Sequence, residues 1–192
     1  MNPAVQHFDT YADEYDRWFD SNPDIYGEQL AVLRSILPNQ GRGLEIGVGS
    51  ARFAAPLGIE FGLDPSVPLL SLAYSRGIEP VKGIGEFLPF RSGIFDYVLM
   101  MTVICFMEDI ALPFREAYRV LRPGGTLVIG FMETGGEPAL KERKRSAPGR
   151  FLRYAVFRST QEVMTNLATE RFSGICLKSN LHGLCFVMAQ KE

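Results

Sequence analysis

Apolar residues along this chain change rhythm several times. Short apolar runs read as strands at 43–47, 60–63, 79–82, 95–101 and 126–131. Between them, apolar positions recur at helical spacing over 51–57, from Ser66 to Arg76, and in a stretch ending at Leu121. Pro113 fits only the first turn of that last helix, where a missing N–H costs nothing, so its regular start falls near Leu112. Strands alternating with helices predict an α/β fold, a parallel sheet with helices on both faces. Ahead of this series, Phe8, Tyr11 or Ala12, Tyr15, and Trp18 or Phe19 form a helical stripe within a segment from Asp9 to Phe19. Asp24 can cap a second helix running to about Leu37, with Leu30, Leu33 and Leu37 on one side, before Pro38-Asn39-Gln40-Gly41 breaks it. After the series, Pro123-Gly124-Gly125 predicts a sharp turn. Glu133 to Gly149, with Gly135, Gly136, Pro138 and Pro148, reads as loop. Ser159 and Glu162 have capping-box spacing before a helix over Gln161–Ala168. Two closing strands, Phe172–Leu177 and Leu184–Ala189, form a hairpin through Lys178–Gly183.

The chain has 192 residues, 46% hydrophobic and 22% charged, with a net charge of −2. That describes a globular protein with one sizeable core, so residues 1–192 are expected to form a single domain decorated by residues 1–38 and 132–158. The near-neutral balance argues against nucleic acid as an obligatory partner. No apolar run approaches the roughly 20 residues needed to span a bilayer. The segment Met1–His7 lacks the basic end and apolar run of a secretory signal. Cys105, Cys176 and Cys185 show no C-x-x-C spacing and read as reduced thiols of a cytoplasmic protein. Two histidines and no His/Cys cluster make a built-in metal site improbable.

The chemistry concentrates in Leu44-Glu45-Ile46-Gly47-Val48-Gly49-Ser50-Ala51, an apolar run ending in an acid and a glycine-rich turn. A second acid, Asp64, ends the next run, Phe61-Gly62-Leu63. Such a pair builds a site for a ribose-bearing cofactor: glycines give access to bare backbone, and the second acid accepts from ribose hydroxyls. A dinucleotide turn needs a small residue where this chain has Arg52, and Glu45 would face a pyrophosphate badly. A cofactor with a cationic amino-acid end suits Glu45 better. The turn resembles motif I of class I S-adenosylmethionine-dependent methyltransferases, with Ala51 in place of a third glycine. Three further segments resemble that family in order and spacing: Gly83-Ile84-Gly85-Glu86-Phe87-Leu88-Pro89-Phe90, Ile94–Leu99, and Arg115–Leu127 with its R-E-x-x-R-V-L-R-P-G-G. Together they span roughly residues 40–131. The chain most resembles the small-molecule enzymes of the ubiquinone/menaquinone-biosynthesis type, methyltransferase type 11.

The resemblance implies a Rossmann-like three-layer sandwich: a mostly parallel seven-stranded sheet ending in an antiparallel hairpin. It implies S-adenosylmethionine as cofactor, S-adenosylhomocysteine as product, and in-line transfer of a methyl group to a small-molecule acceptor. Glu45 would orient the methionine amino end, with Gly47, Val48 and Gly49 giving backbone access. Asp64 would bind the ribose, with Pro65 and Ser66 shaping that wall. Gly85, Glu86 and Phe87 would lie at the adenine, and Met101 under the sulfonium and substrate, beside Thr102 and Val103. Asp96 reads as structural rather than catalytic. Phe8-Asp9-x-x-Ala12-x-x-Tyr15-Asp16 resembles the family's lid, so residues 1–38 would close over the site, while 132–158 would form part of the substrate wall. Tyr11 or Tyr15 would then reach the cofactor carboxylate. His7 is either a general base or an incidental residue of an amphipathic helix, and His182 reads as a structural turn residue. Positioning dominates methyl-transfer chemistry, so few catalytic side chains are compulsory. The basic run Lys141, Arg143, Lys144, Arg145, Arg150, Arg153 and Arg158, interleaved with Phe151, Tyr154 and Phe157, reads as a solvated amphipathic helix or as a contact for anionic substrate or RNA. Competing functions are an RNA or protein methyltransferase and a non-catalytic S-adenosylmethionine-binding regulator.

Overall fold

A computed structural model describes residues 3–147 and 149–192. Met1 and Asn2 of the expected lid and Pro148 of the expected loop lie outside the described residues. Helices α1 (Pro3–Thr10), α2 (Ala12–Ser21) and α3 (Pro23–Ile36) precede β1 (Gly43–Ile46). Then follow α4 (Ala54–Leu57), β2 (Phe61–Asp64), α5 (Val67–Ser75), β3 (Glu79–Lys82) and β4 (Phe95–Met101). A short turn at Ile104–Phe106 leads to α6 (Ala111–Val120), β5 (Leu121–Met132), α7 (Glu137–Arg143), α8 (Thr160–Thr169), β6 (Ser173–Leu181) and β7 (Leu184–Gln190).

The seven strands form one sheet in the order β3-β2-β1-β4-β5-β7-β6. The pairs from β3 to β5 are parallel, and β7 runs antiparallel to both β5 and β6. This is the expected sandwich. The chain runs outward from β1 to β3, then returns to place β4 on the other side of β1. The order therefore reverses between β1 and β4, and a cleft opens beyond their C-terminal ends. Side chains alternate across the sheet. Val98 and Met100 join Leu44, Ile46 and Ile129 beneath Phe114 of α6 and Leu167 of α8. Leu99 and Met101 join Val128 and Phe186 on the other face, with Leu33 of α3 and Leu70 of α5. Both faces are covered, so the central strands read as continuous apolar runs.

Several boundaries differ from the sequence pattern. The stripe from Asp9 to Phe19 is divided between α1 and α2 by Tyr11, whose φ of −117° and ψ of 27° leave the helix. Asp24 is not the cap of α3: Asn22 holds that position and Pro23 opens the helix. The helix expected at 51–57 shrinks to α4, because Ala51 takes a left-handed φ of 62°. The stretch expected as loop contains α7, where Pro138 sits in the first turn, Ala139 is buried, and Lys141 pairs with Glu137 one turn away. Gly135-Gly136-Glu137-Pro138 there starts a helix instead of a loop. The basic run is consequently not one helix, since α7 ends at Arg143. Pro123–Gly125 survives as an irregularity inside β5, with a register shift against β4 and Gly124 at φ 77°. The first strand of the final hairpin extends to Leu181, leaving His182 and Gly183 as its loop.

Candidate functional site

The C-terminal ends of β1, β2 and β4 open into one cavity of about 850 Å³. The glycine turn is fixed to its neighbour at once: the Gly47 N–H donates to the Leu63 carbonyl at 2.7 Å. Gly47 has φ 73°, and a Cβ there would fall 2.2 Å from a Val103 methyl. Gly49 has φ 53°, and a Cβ there would sit 3.3 Å from the Tyr15 ring. Gly47 thus has no room for a side chain, and at Gly49 the left-handed backbone favours glycine while a Cβ would crowd Tyr15.

Asp64 is 8% exposed and accepts two backbone bonds, from Gly49 N–H at 2.9 Å and Ser66 N–H at 2.8 Å. Ser66 in turn caps α5 through its hydroxyl. Burial pushes the Asp64 carboxyl up to about 6, against the lowering effect of those N–H groups. Each carboxylate oxygen has about two acceptor sites, so both can still accept from the cavity. Glu45 is fully buried and outside the lining; it accepts from the Ala54 backbone, and its Oε2 has no partner. Burial pushes its carboxyl well above the usual range.

Gly47, Gly49, Asp64, Pro65, Ser66, Gly85, Glu86 and Met101 all line the cavity, as does Tyr15 of α2. Four other expected residues do not. The Val48 side chain packs on Gly62, where a Cβ would come within 2.7 Å of its methyls. Phe87 is 71% exposed and outside the lining. His7 sits among the rings of Tyr11, Phe151 and Tyr154, with its Nε2 buried and unpartnered. Tyr11 lies under the Arg150 guanidinium, 4.5 Å from its ring centre. Asp96 pairs with Arg122 and accepts from the Arg42 N–H at the far end of β4, as a structural residue would. Burial pushes the Tyr15 phenol up, helped by the charges of Asp64 and Glu45, so it stays protonated.

The rest of the wall comes from outside the motifs. Trp18 and Ile25 contribute from α2 and α3, Phe106 from the turn after β4, and Met132, Phe151 and His182 from the later segments. The left-handed φ of 51° at Thr102 is uncommon for a β-branched residue and falls on the lining at the end of β4. Gly85, where the family has alanine, faces the Met107 terminal methyl at 2.8 Å from an added Cβ. The R-E-x-x-R spacing has a physical role here. Arg119 donates to the Phe90 and Leu88 carbonyls at 2.7 and 3.0 Å, and Glu116 accepts from the Leu88 N–H at 2.8 Å. One turn of α6 thus holds the loop after Gly85. Four of the seven basic side chains pair with acids: Lys141 with Glu137, Arg145 with Glu142, Arg150 with Glu14, and Arg158 with Glu162. Among the described residues, no three His, Cys, Asp or Glu side chains gather as a metal site, and no helix is long and apolar enough to cross a membrane.

Known proteins are similar to this chain in sequence and fold. Residues 44–129 match the family model described as "Methyltransferase domain". A Methanocaldococcus jannaschii protein of uncharacterized function is 39% identical over 168 residues, 88% of this chain and 82% of that one. The demethylmenaquinone methyltransferase of Roseiflexus castenholzii is 31% identical over 115 residues, 54% of this chain and 48% of that enzyme. A Thermotoga maritima crystal structure, described as a SAM-dependent methyltransferase and possible histamine N-methyltransferase, superposes with a TM-score of 0.90 at 31% identity. That match covers 98% of this chain and 99% of the other. With a glycine turn and a second-strand acid at the reversal of the sheet, and relatives of this extent, the chain belongs to the S-adenosylmethionine-dependent methyltransferases.

Proposed function

We propose that this chain methylates a small molecule bound beside S-adenosylmethionine in the cavity beyond β1 and β4. One observation carries the proposal: the glycine turn, Asp64 and an aromatic wall from α1, α2 and the segment after β5 share a single cavity of about 850 Å³. That size lies within the roughly 300–1,000 Å³ of small-molecule sites. Pairing of four of the seven basic side chains with acids narrows the cationic face open to RNA.

The residues fit the cofactor. Asp64 keeps acceptor capacity on both oxygens for a ribose diol, and Gly47 and Gly49 present backbone that a Cβ would block. The unpartnered oxygen of Glu45 and its buried carboxyl suit a cationic amino end, directly or through water. Pro65, Ser66, Gly85 and Glu86 would enclose the adenine side, with Phe87 at its rim and Val48 contributing backbone only. Met101 would lie beneath the reacting groups. The bound cofactor supplies a methyl group on a sulfonium. The chain's part is to orient the acceptor atom and exclude water. Tyr15, held protonated, serves as a hydrogen-bond donor and not as a base. His7 and Tyr11, outside the lining, take no part in proton transfer. Residues 1–38 would act as a roof and 132–158 as the acceptor wall.

The experiment is transfer of labelled methyl from S-adenosylmethionine to a small-molecule panel, beside bulk RNA and denatured protein. Amines head the panel, because the Thermotoga relative is described as a possible histamine N-methyltransferase and aromatic faces attract cations. Label is expected in the small-molecule fraction. Label confined to RNA or protein overturns the proposal, and cofactor binding without transfer to any class favours the regulator.

A further inference from the structure

Four charged side chains fasten α2 to the glycine turn. Arg52, just after the turn, forks onto Asp16 of α2, with Nε–Oδ1 at 2.7 Å and Nη2–Oδ2 at 2.8 Å. The same guanidinium reaches both oxygens of Asp20, at 2.7 and 2.8 Å. Arg76, at the end of α5, donates to Asp16 Oδ2 at 2.8 Å and to the Ser50 carbonyl at 2.7 Å. The Asp16 and Arg52 side chains are only 13% and 16% exposed, so this is not a loose surface pair. Forked contacts of this kind fix orientation as well as position.

Asp16 is next to Tyr15, whose ring lies against Gly49, and the rings of Phe8, Phe19 and Phe151 surround it at 5.3–5.6 Å. On one helix turn, fixing Asp16 fixes where Tyr15 points. Ser50, Arg52 and Arg76 lie on the segments after β1 and α5, while Asp16 and Asp20 lie on α2, whose Tyr15 and Trp18 line the cavity; the four charged side chains stand behind that lining. Lifting the roof off Gly49 must separate these charges.

We propose that Asp16 is a positioning residue, and that the Arg52–Asp16–Arg76 cluster is a latch setting how fast cofactor and product exchange. The inference rests on the cavity being the cofactor site. The latch acts through Tyr15: it holds the ring on the turn while a nucleoside lies beneath α2, and the cluster parts when the nucleoside leaves.

Trp18 is the only tryptophan of the chain and lines the cavity from α2, so its fluorescence reports the roof. The full chain is mixed with S-adenosylhomocysteine in a stopped-flow instrument, and release rates are taken from the concentration dependence. Asp16→Asn is expected to speed release about tenfold or more, the scale of a hydrogen bond to a charged group. Arg76→Gln, which removes one arm only, should speed it less, and Asp16→Glu should restore part of the loss. In a Tyr15→Ala background, Asp16→Asn should add little, because the ring it positions is gone. A purely structural Asp16 would instead lower thermal stability with additive effects on release. Unchanged release in folded Asp16→Asn and Arg76→Gln, or additivity with Tyr15→Ala, overturns the latch. If Asp16→Asn fails to fold, Arg76→Gln alone and with Tyr15→Ala decides by the same criteria. No binding of S-adenosylhomocysteine by the unaltered protein overturns the cofactor site and the latch together; binding with unaltered variant rates overturns the latch alone.

Discussion

In the proposed function, Asp64 concentrates the chemistry of the site in one side chain. Its carboxylate ties the β1 turn to the start of α5 and still faces the cavity. Asp64→Ala should weaken S-adenosylhomocysteine binding by about 1.5–3 kcal/mol, the range for hydrogen bonds to a charged group, as measured by calorimetry. Unchanged affinity would leave Asp64 as a turn residue only. The carboxyl also predicts a pH dependence. Burial raises it from 3.8 to about 6, so the folded chain holds a proton there that the unfolded chain has lost. Ionising Asp64 therefore costs stability as pH rises through that window. Ribose hydroxyls favour the ionised form, so cofactor affinity should rise with pH up to about 6 and level off above it. Below 6 the fall should approach about tenfold per unit. Calorimetry from pH 5 to 7 checks this, and a flat profile would contradict it. Ala51 shows how a residue that departs from the family pattern is tolerated. Its left-handed φ costs about 1–2 kcal/mol. Glycine would relieve that but lose a buried methyl worth about 0.8 kcal/mol and add about 0.5–1 kcal/mol of chain entropy. The terms nearly cancel.

At the scale of elements, α2 is more than a flap. Phe19 is 5% exposed and packs with Phe53, Leu30 and Leu33 in the core on one face of the sheet. Phe19→Ala should therefore destabilise the whole chain by about 3–5 kcal/mol in denaturant titration. A freely detachable lid would lose far less. In α1, by contrast, Ala4 is the one buried residue, so its amides should exchange faster than those of α3. Roof motion is thus expected as a hinge of α1 and the face of α2 that bears Tyr15, with Phe19 as the anchored end. The α6 helix supplies the complementary device: Glu116 and Arg119 grip the loop after Gly85, so the motif's charged pair orders a wall it does not itself form.

Across the whole molecule, the reversal of strand order between β1 and β4 collects residues from Gly47 to His182 around one cavity. A ligand that binds only the folded chain stabilises it by mass action. S-adenosylhomocysteine at a hundred times its dissociation constant should add about 2.7 kcal/mol of stability. NAD at the same concentration should add far less, and an equal shift in melting temperature would contradict the cofactor assignment. The order of strands and helices from β1 to α6 was legible in the chain, because apolar rhythm and turn residues act over a few neighbours. So was the glycine turn followed by Asp64, since both lie at strand ends that local pattern defines. Other features were decided only by packing. Asp16 meets Arg52 and Arg76 across 36 and 60 residues, and Glu116 meets the Leu88 amide across 28. No spacing within the chain encodes such pairings; the sheet has to form before the charges face one another. The same holds for Phe87, which the family resemblance put at the adenine, and for His7, read as either a general base or an incidental helix residue; the fold leaves both outside the cavity lining. The sequence alone determined the sheet's framework and the glycine turn, whose causes are local. Only tertiary structure decided what roofs that turn and what holds the roof down, because those contacts join segments far apart along the chain.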